Sequence, residues 1–156
     1  MSATTREPRP NEADGREYHF LSGGEFDERV RSGAFLEHAE YAGNRYGTLR
    51  SELDRPADGI VLEIDLQGAR QVRETLPEAT QVFIAPPSPA DLRSRLEERA
   101  SDTPEQIARR LEAAEVELAA QEEFGHVVVN DEVERALDEL AELAATMCAH
   151  RKDTDA

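Results

Sequence analysis

The sequence predicts an α/β protein in which helices cover both faces of a parallel β-sheet. Three short apolar runs rich in β-branched residues have the character of buried strands, and they are residues 60–65, 81–85 and 126–130. Segments with the 3.6-residue apolar period of a helix lie between and after these runs. Strands that alternate with helices favour crossover connections, which produce a parallel sheet with helices on both faces.

The N-terminal third is predicted to contain a short strand, a helix and a pair of strands. Residues 1–17 are polar and turn-rich and show no regular period, whereas residues 18–21 form a candidate strand. Ser22 and Glu25 make a capping box that starts a helix, and Gly33 ends it. Two strand pieces follow around a Gly-Asn turn, at residues 35–42 and 45–48.

The remaining segments alternate between helices and the buried strands. A helix at about residues 68–76 follows the first buried strand, and Ser88 starts another after the second. Thr103 and Gln106 have the spacing of a capping box and predict a third helix. After the last strand, apolar residues recur with a helical period from Val133 onward.

Length and charge limit the class of protein. The chain has 156 residues, roughly one domain, and 18 Lys and Arg against 34 Asp and Glu leave a net charge of −16. Proteins that coat nucleic acid or anionic membranes need a basic face, so this charge argues against both partners. The chain has no apolar run near ~18 residues and no signal-peptide core, and Cys148 is its only cysteine. We therefore expect a cytoplasmic protein.

Lysine is almost absent from the chain. Lys152 is the only one, so arginine supplies nearly all of the positive charge. Arginine is the better bidentate ligand for phosphate and carboxylate groups. The depletion of lysine beside abundant Asp and Glu has two explanations that the sequence leaves open, a halophilic origin and a GC-rich genome.

The first 48 residues hold the side chains with the clearest anion-binding chemistry. Arg6 and Arg9 lie three residues apart beside threonine hydroxyls, a combination suited to a dianionic phosphate. Tyr18 and Tyr46 offer phenolic donors to the same kind of group. A carboxylate at Glu37 is able to accept hydrogen bonds from the N1–H and N2–H₂ edge of guanine. Taken singly, each of these residues is better explained as an ordinary surface arginine or half-buried polar residue.

Their order closely resembles the guanylate kinase family. Residues 2–20 resemble its nucleoside-monophosphate segment, and further motifs of the family match in the same order over almost the whole chain. These are FLEHAEYAGNRYGT at 35–48, LEIDLQG at 62–68, FIAPPS at 83–88 and VVVND at 127–131.

The resemblance implies a fold and a reaction. The fold would be the three-layer α/β sandwich of P-loop kinases, with a parallel sheet, a small mixed β/α segment for GMP and a helical lid. The reaction would be phosphoryl transfer from ATP to GMP with Mg²⁺, giving ADP and GDP. Residues 1–48 would form the GMP-binding segment, and residues 49–156 the remaining core, with the lid at about 95–110.

The resemblance also implies roles for single residues in the GMP site. The residues that recognise the guanine edge would be Ser2, Glu37 and Thr48. Those that hold the phosphate of GMP would be Arg6, Arg9, Tyr18 and Tyr46. Glu63 and Asp65 would lie near GMP, and Asp65 would reach Mg²⁺ through water. The alternative for both acids is that they are simple polar ends of a strand, but strand ends are where open α/β sheets bind ligands.

Four further residues match the ATP side of the family's site. Arg95, Arg99 and Arg110 match the catalytic arginines of the lid, which close over the ATP phosphates, and Asn130 would lie near the adenine. The alternative for the arginines is a set of ion pairs on helix surfaces, which contribute little to stability.

One part of the family pattern has no counterpart in these residues. Guanylate kinases open with a strand, a Gly-rich P-loop ending in Gly-Lys-Ser/Thr, and a helix, but no Gly-x-x-x-x-Gly-Lys pattern occurs here. We therefore expect the first βα unit to be missing and its neighbouring strands to expose apolar surface. Because the P-loop supplies N–H donors and a lysine to the transferred phosphate, we also expect the chain as given to be inactive.

Two explanations of this difference remain open. The one that we favour is a fragment or a wrongly assigned start codon in a guanylate kinase gene. The other is a non-catalytic guanylate kinase-like module that binds GMP or a phosphorylated partner.

Overall fold

The computed structural model describes residues 1–41, 43–57, 59–98 and 103–154. The chain divides into two compact units, Met1–Ala79 and Thr80–Ala156. Each unit has its own sheet and its own helices, and each is described by itself below.

The first unit is built around a four-stranded mixed sheet. Its strands are β1 (Ser2–Thr4), β2 (Tyr18–Phe20), β3 (Phe35–Tyr41) and β4 (Asn44–Leu49). Their spatial order is β2-β1-β4-β3, with β1 parallel to β2 and antiparallel to β4, and β3 antiparallel to β4. The strand predicted at 18–21 and the strand pair are confirmed. Strand β1 was not predicted, because three residues are too few to show an alternating pattern and the strand exists only through its two neighbours.

A helix closes one face of this sheet. Helix α1 (Gly23–Arg31) has the predicted capping box at Ser22, and its Phe26 is fully buried. The rings of Phe26 and Phe35 lie 4.5 Å apart between centroids, and they form the core of the unit together with Ala3. Burial of one phenylalanine side chain stabilises a fold by about 1.5–3 kcal/mol, so this pair holds α1 on the sheet.

A second helix packs on the outer strand of the sheet. Helix α2 (Leu66–Thr75) begins after its N-cap Asp65, whose side chain accepts a hydrogen bond from the backbone N–H of Gly68 at 2.8 Å. The helix contacts β3, and a short 3₁₀ helix, Arg50–Asp54, follows β4. The predicted helix at 68–76 is therefore confirmed, beginning two residues earlier.

The prediction of a buried strand at residues 60–65 is wrong in this structure. These residues form no regular element, and Val61 is 90% exposed. A strand of this kind needs a neighbouring backbone to bond with, and none of the described strands pairs with these residues.

The second unit contains a parallel strand pair and three helices. The pair is β5 (Val82–Ala85) and β6 (His126–Val129), and the helices are α3 (Pro89–Glu98), α4 (Pro104–Ala119) and α5 (Val133–Thr154). These elements are confirmed, including the capping box of α4 at Thr103. In the second unit, the predicted parallel sheet is present among the described residues only as the pair β5 and β6. Ile84 and Val129 are consequently 51% and 40% exposed.

A search of the described helices found none with both the length and the apolar character needed to cross a membrane.

Candidate functional site

A row of paired residues across three strands brings the predicted guanine contacts together. Ser2 on β1 pairs with Thr48 on β4, and Thr48 pairs on its other side with Glu37 on β3. Residues that pair directly across strands point to the same face of a sheet, with Cβ atoms roughly 4.5–5.5 Å apart. The register therefore assembles one polar cluster from three separate stretches of the sequence.

Glu37 is the buried acid of this cluster. The residue is 4% exposed, and its Oε1 accepts a hydrogen bond from the backbone N–H of Thr48 at 2.7 Å. Burial raises the pKa of Glu37 above its ordinary value, and the nearby charge of Asp65 adds to this, while hydrogen bonds from Thr48 lower it. An ionised carboxylate has about four acceptor positions, so the bond from Thr48 leaves acceptor capacity for a ligand.

The N-terminal turn of α2 lies against the Glu37 carboxylate. A Cβ atom placed on Gly68 would come within 2.5 Å of Oε2 of Glu37, a distance that real contacts do not reach. The absence of a side chain at Gly68 therefore makes room for the carboxylate. The partial positive charge at the beginning of a helix is favourable to an acid at this place.

The two predicted acids near GMP have different surroundings. Asp65 caps α2 and is close enough to influence the ionisation of Glu37. Glu63 is exposed in the irregular stretch that precedes it, and no hydrogen bond or ion pair joins it to the cluster in the described part of the structure.

The predicted phosphate contacts form a second group on the same sheet. Tyr18 and Tyr46 lie edge to face with 6.3 Å between ring centroids. The guanidinium carbon of Arg6 is 5.5 Å from the centre of the Tyr18 ring and 5.8 Å from that of Phe20. The side chain of Arg9 is 74% exposed. Two phenols and one partly buried guanidinium group thus meet, with the second arginine at their rim.

Glu12 joins the two arginines, and the sequence analysis did not identify it. Its carboxylate accepts from Nη2 of Arg6 at 2.9 and 3.0 Å and from the backbone N–H of Arg9 at 2.8 Å. The hydrogen bond from Arg9 is the main cause of a lowered pKa of Glu12, and the bond from Arg6 lowers it further. In the sequence, Glu12 is marked only as an acid three residues after Arg9 in a turn-rich segment. This pattern is a weak indication of a functional residue.

The predicted ATP contacts lie in the second unit. Arg95 on α3 donates from Nη2 to the carbonyl oxygen of Asp131 at 3.2 Å. Asn130, which follows β6, donates its backbone N–H to the carbonyl of Ala85 at 2.8 Å, and its side-chain Oδ1 is buried without a hydrogen-bond partner. Arg110 is half-buried on α4, and Arg99 lies outside the described residues.

Comparisons with known proteins show the family of this chain. The family model described as guanylate kinase matches residues 1–147 of the chain. This chain belongs to the guanylate kinase family.

Individual members of the family show how far the likeness extends. The guanylate kinase of Frankia casuarinae is 52% identical over 92% of this chain and 79% of its own length. That of Streptomyces coelicolor is 54% identical over 92% of this chain and 74% of its own. The crystal structure of guanylate kinase from Anaplasma phagocytophilum matches with a TM-score of 0.76 and 32% identity, covering 94% of this chain and 73% of that one. The chain thus spans about three quarters of these guanylate kinases, and it shares their mixed α/β fold.

The acids of this guanylate kinase chain suit a water-mediated Mg²⁺ contact better than a protein cage. Among the described residues, no group of three or more His, Cys, Asp or Glu side chains is placed to hold a metal ion. Oδ1 of Asp65 is already the cap of α2. Mg²⁺ usually keeps several waters and takes one or two carboxylates together with substrate phosphates, so a single acid fits such a site.

Proposed function

We propose that the first unit of this guanylate kinase chain holds GMP, the substrate that the family phosphorylates with ATP. The observation that carries the proposal is the cross-strand row of Ser2, Thr48 and Glu37, which places two hydroxyl groups beside one buried carboxylate. The carboxylate accepts from N1–H and N2–H₂ of guanine, and the hydroxyls supply further hydrogen bonds. Adenine has no such pair of donors at this edge, so the same site rejects it.

The phosphate of GMP lies against the second group of residues. Arg6, Tyr18 and Tyr46 surround one small region, and Arg9 at its rim adds a second guanidinium group. Guanidinium forks bind phosphate oxygens through paired hydrogen bonds, which orient the phosphate as well as attract it. The residues that contact GMP lie within 1–48, apart from Glu63 and Asp65, and we propose this segment as the GMP-binding part and 49–156 as the remaining core.

The reaction itself depends mainly on position and charge. An oxygen of the GMP phosphate attacks the γ-phosphorus of ATP in line with the leaving ADP oxygen. In the lid, at about 95–110, we assign the stabilisation of developing charge to Arg95, Arg99 and Arg110. The orphaned Oδ1 of Asn130 supports a contact with the amino group of adenine. Mg²⁺, when bound with ATP, neutralises phosphate charge, and Asp65 is the residue that would contact it through water.

We further propose that the fold is the three-layer sandwich of P-loop kinases without its first βα unit. The exposure of Val61, Ile84 and Val129 supports this proposal, since apolar strand residues are normally covered in such a sheet. The 156 residues also contain no Gly-x-x-x-x-Gly-Lys pattern. We therefore expect them to bind GMP and not to phosphorylate it.

The test separates binding from catalysis. Calorimetric titration of the purified 156-residue chain is expected to show binding of GMP, clearly weaker binding of AMP, and loss of the preference in Glu37→Gln. A coupled assay for ADP is expected to show no turnover. Fusion of the strand, P-loop and first helix of the Streptomyces coelicolor relative to the N-terminus is expected to produce GMP-dependent turnover.

Each outcome of the test has a distinct meaning. Equal affinity for GMP and AMP would contradict the guanine site. Turnover by the unfused chain would contradict its inactivity. Binding of GMP with no turnover in a folded fusion would favour the non-catalytic module.

A further inference from the structure

Strand β3 lies at the outer side of the four-stranded sheet, where none of the described strands lies beyond it to bond with. The outward backbone groups of such a strand need other partners. His38, the residue after Glu37, has its backbone N–H and its backbone carbonyl on this outer side. The side chain of Gln71 is the hydrogen-bond partner of both groups. Its Oε1 accepts from the backbone N–H of His38 at 3.0 Å, and its Nε2 donates to the backbone carbonyl of His38 at 2.7 Å. One side-chain amide thus replaces the missing neighbouring strand.

We call the two hydrogen bonds between Gln71 and the backbone of His38 the amide clamp. The clamp lies next to Glu37, at an irregular point of the strand. The pairing of β3 with β4 shifts register between Phe35 and Glu37, as in a β-bulge. A bulge bends its strand and changes the direction of the adjacent side chains. Gln71 fixes the backbone immediately after the shift, and so it fixes the direction in which Glu37 leaves the strand.

The same helix also touches the carboxylate itself. Gly68 lies three residues before Gln71, and residues at this spacing share a face of a helix. Oε2 of Glu37 lies so close to Gly68 that a Cβ atom there would be 2.5 Å away. One face of α2 therefore holds both the backbone after Glu37 and the end of its side chain.

We propose that Gln71 is a positioning residue for Glu37 and thereby determines selectivity for guanine. The proposal rests on the proposed function, in which Glu37 binds the guanine edge. The N1–H and N2–H₂ groups are parallel donors, and both reach the carboxylate only when it is correctly oriented. Hypoxanthine lacks the 2-amino group and makes one of the two bonds, so it depends less on this orientation.

The test compares GMP with IMP in the 156-residue chain. Gln71→Met keeps the length of the side chain and loses both hydrogen bonds to His38. We expect its affinity for GMP to fall about 10-fold, comparable to the loss of one hydrogen bond to a charged group, and its affinity for IMP to fall much less. Gln67→Met is the matched control, because Gln67 lies on the same helix and donates to the Glu40 carbonyl of β3 at 3.5 Å, without contacting the backbone of His38 among the described hydrogen bonds. We expect this control to keep the GMP to IMP ratio of the unaltered chain.

If Gln71→Met has the same ratio of GMP affinity to IMP affinity as the control Gln67→Met, the proposal is wrong. A second measurement needs no variant. Hydrogen exchange of the His38 amide in the unaltered chain is expected to be protected, and exchange as fast as in an unfolded peptide would contradict the clamp. If Glu37→Gln leaves GMP and IMP binding unchanged, the proposed guanine site is wrong, which is a different result from a failure at Gln71 alone.

Discussion

The backbone N–H of Thr48 donates to Oε1 of Glu37 at 2.7 Å, and both side chains are almost fully buried. A carboxylate in such a place costs stability unless hydrogen bonds compensate its lost hydration. Thr48 supplies part of this compensation, yet burial still raises the pKa of Glu37. The chain therefore maintains an acid at this position at the expense of stability, which is typical of a residue required for binding.

Glu37→Gln is expected to raise the melting temperature at pH 7. A raised pKa in the folded state means that the contribution of Glu37 to stability is full below its unfolded pKa and is lost as pH rises through the folded pKa. The amide does not ionise and so does not suffer this loss. Thermal unfolding followed by circular dichroism should show that the difference in melting temperature between Glu37→Gln and the unaltered chain narrows as the pH is lowered toward the ordinary pKa of a glutamic acid. A variant that melts below the unaltered chain at pH 7 would contradict this expectation.

Guanosine binding is expected to weaken as the pH falls through the raised pKa of Glu37. The protonated acid no longer accepts from both donors of guanine. Guanosine is used instead of GMP because the phosphate of a nucleotide itself titrates near pH 6, by analogy with other phosphate monoesters. Calorimetry between pH 8 and pH 5 measures the effect. In Glu37→Gln we expect weak binding that does not vary with pH, and a flat profile in the unaltered chain would argue against an ionised Glu37.

Gly68→Ala is expected to reduce affinity for GMP about 10-fold or more, the equivalent of at least 1.4 kcal/mol. The new methyl group would lie 2.5 Å from Oε2 of Glu37 and would displace the carboxylate. Gly24→Ala on α1 is the control, since a Cβ atom there meets nothing within 4 Å. Calorimetric titration with GMP should separate the two variants. Similar affinities in both would show that the carboxylate moves aside without loss of binding.

Glu12→Ala is expected to weaken GMP binding about 5-fold to 10-fold and to leave guanosine binding unchanged. Glu12 orients Arg6 and the backbone of Arg9. Without Glu12 the side chain of Arg6 would be free, and ordering a free arginine side chain costs roughly 2 kcal/mol of rotamer entropy. Binding of GMP would then have to offset part of this cost. Glu7→Ala removes the same charge as a control, and it keeps the backbone carbonyl that accepts from Arg6. Equal losses for GMP and guanosine would mean that Glu12 acts on the fold and not on the phosphate contacts.

The net charge of −16 predicts that salt stabilises the fold. Like charges repel over a Debye length of about 10 Å at 0.1 M salt and about 3 Å at 1 M. We expect the midpoint of urea unfolding to rise between 0.05 and 1 M NaCl, and to rise more than for a relative with a smaller net charge. Identical unfolding curves at the two salt concentrations would remove the halophilic explanation of the composition.

Most residues of the candidate site are predicted from the order of the motifs in the sequence, but Glu12 is not. Roles for Arg6, Tyr18, Glu37 and Tyr46 are predicted because their motifs, in this order along the chain, resemble those of guanylate kinases. Glu12 was missed, since an acid beside arginines is common on any surface and only the contacts show that it joins them.

Local signals in the sequence determined where α1 and α4 begin and which strands form the hairpin of the first unit. The capping boxes at Ser22 and Thr103 are examples, because their hydrogen bonds join residues only three positions apart. Tertiary structure alone decided the existence of β1, the irregular path of residues 60–65 and the clamp of Gln71 on His38. Each of these depends on whether a backbone far away in the chain offers hydrogen-bond partners. No pattern within a single segment contains that information.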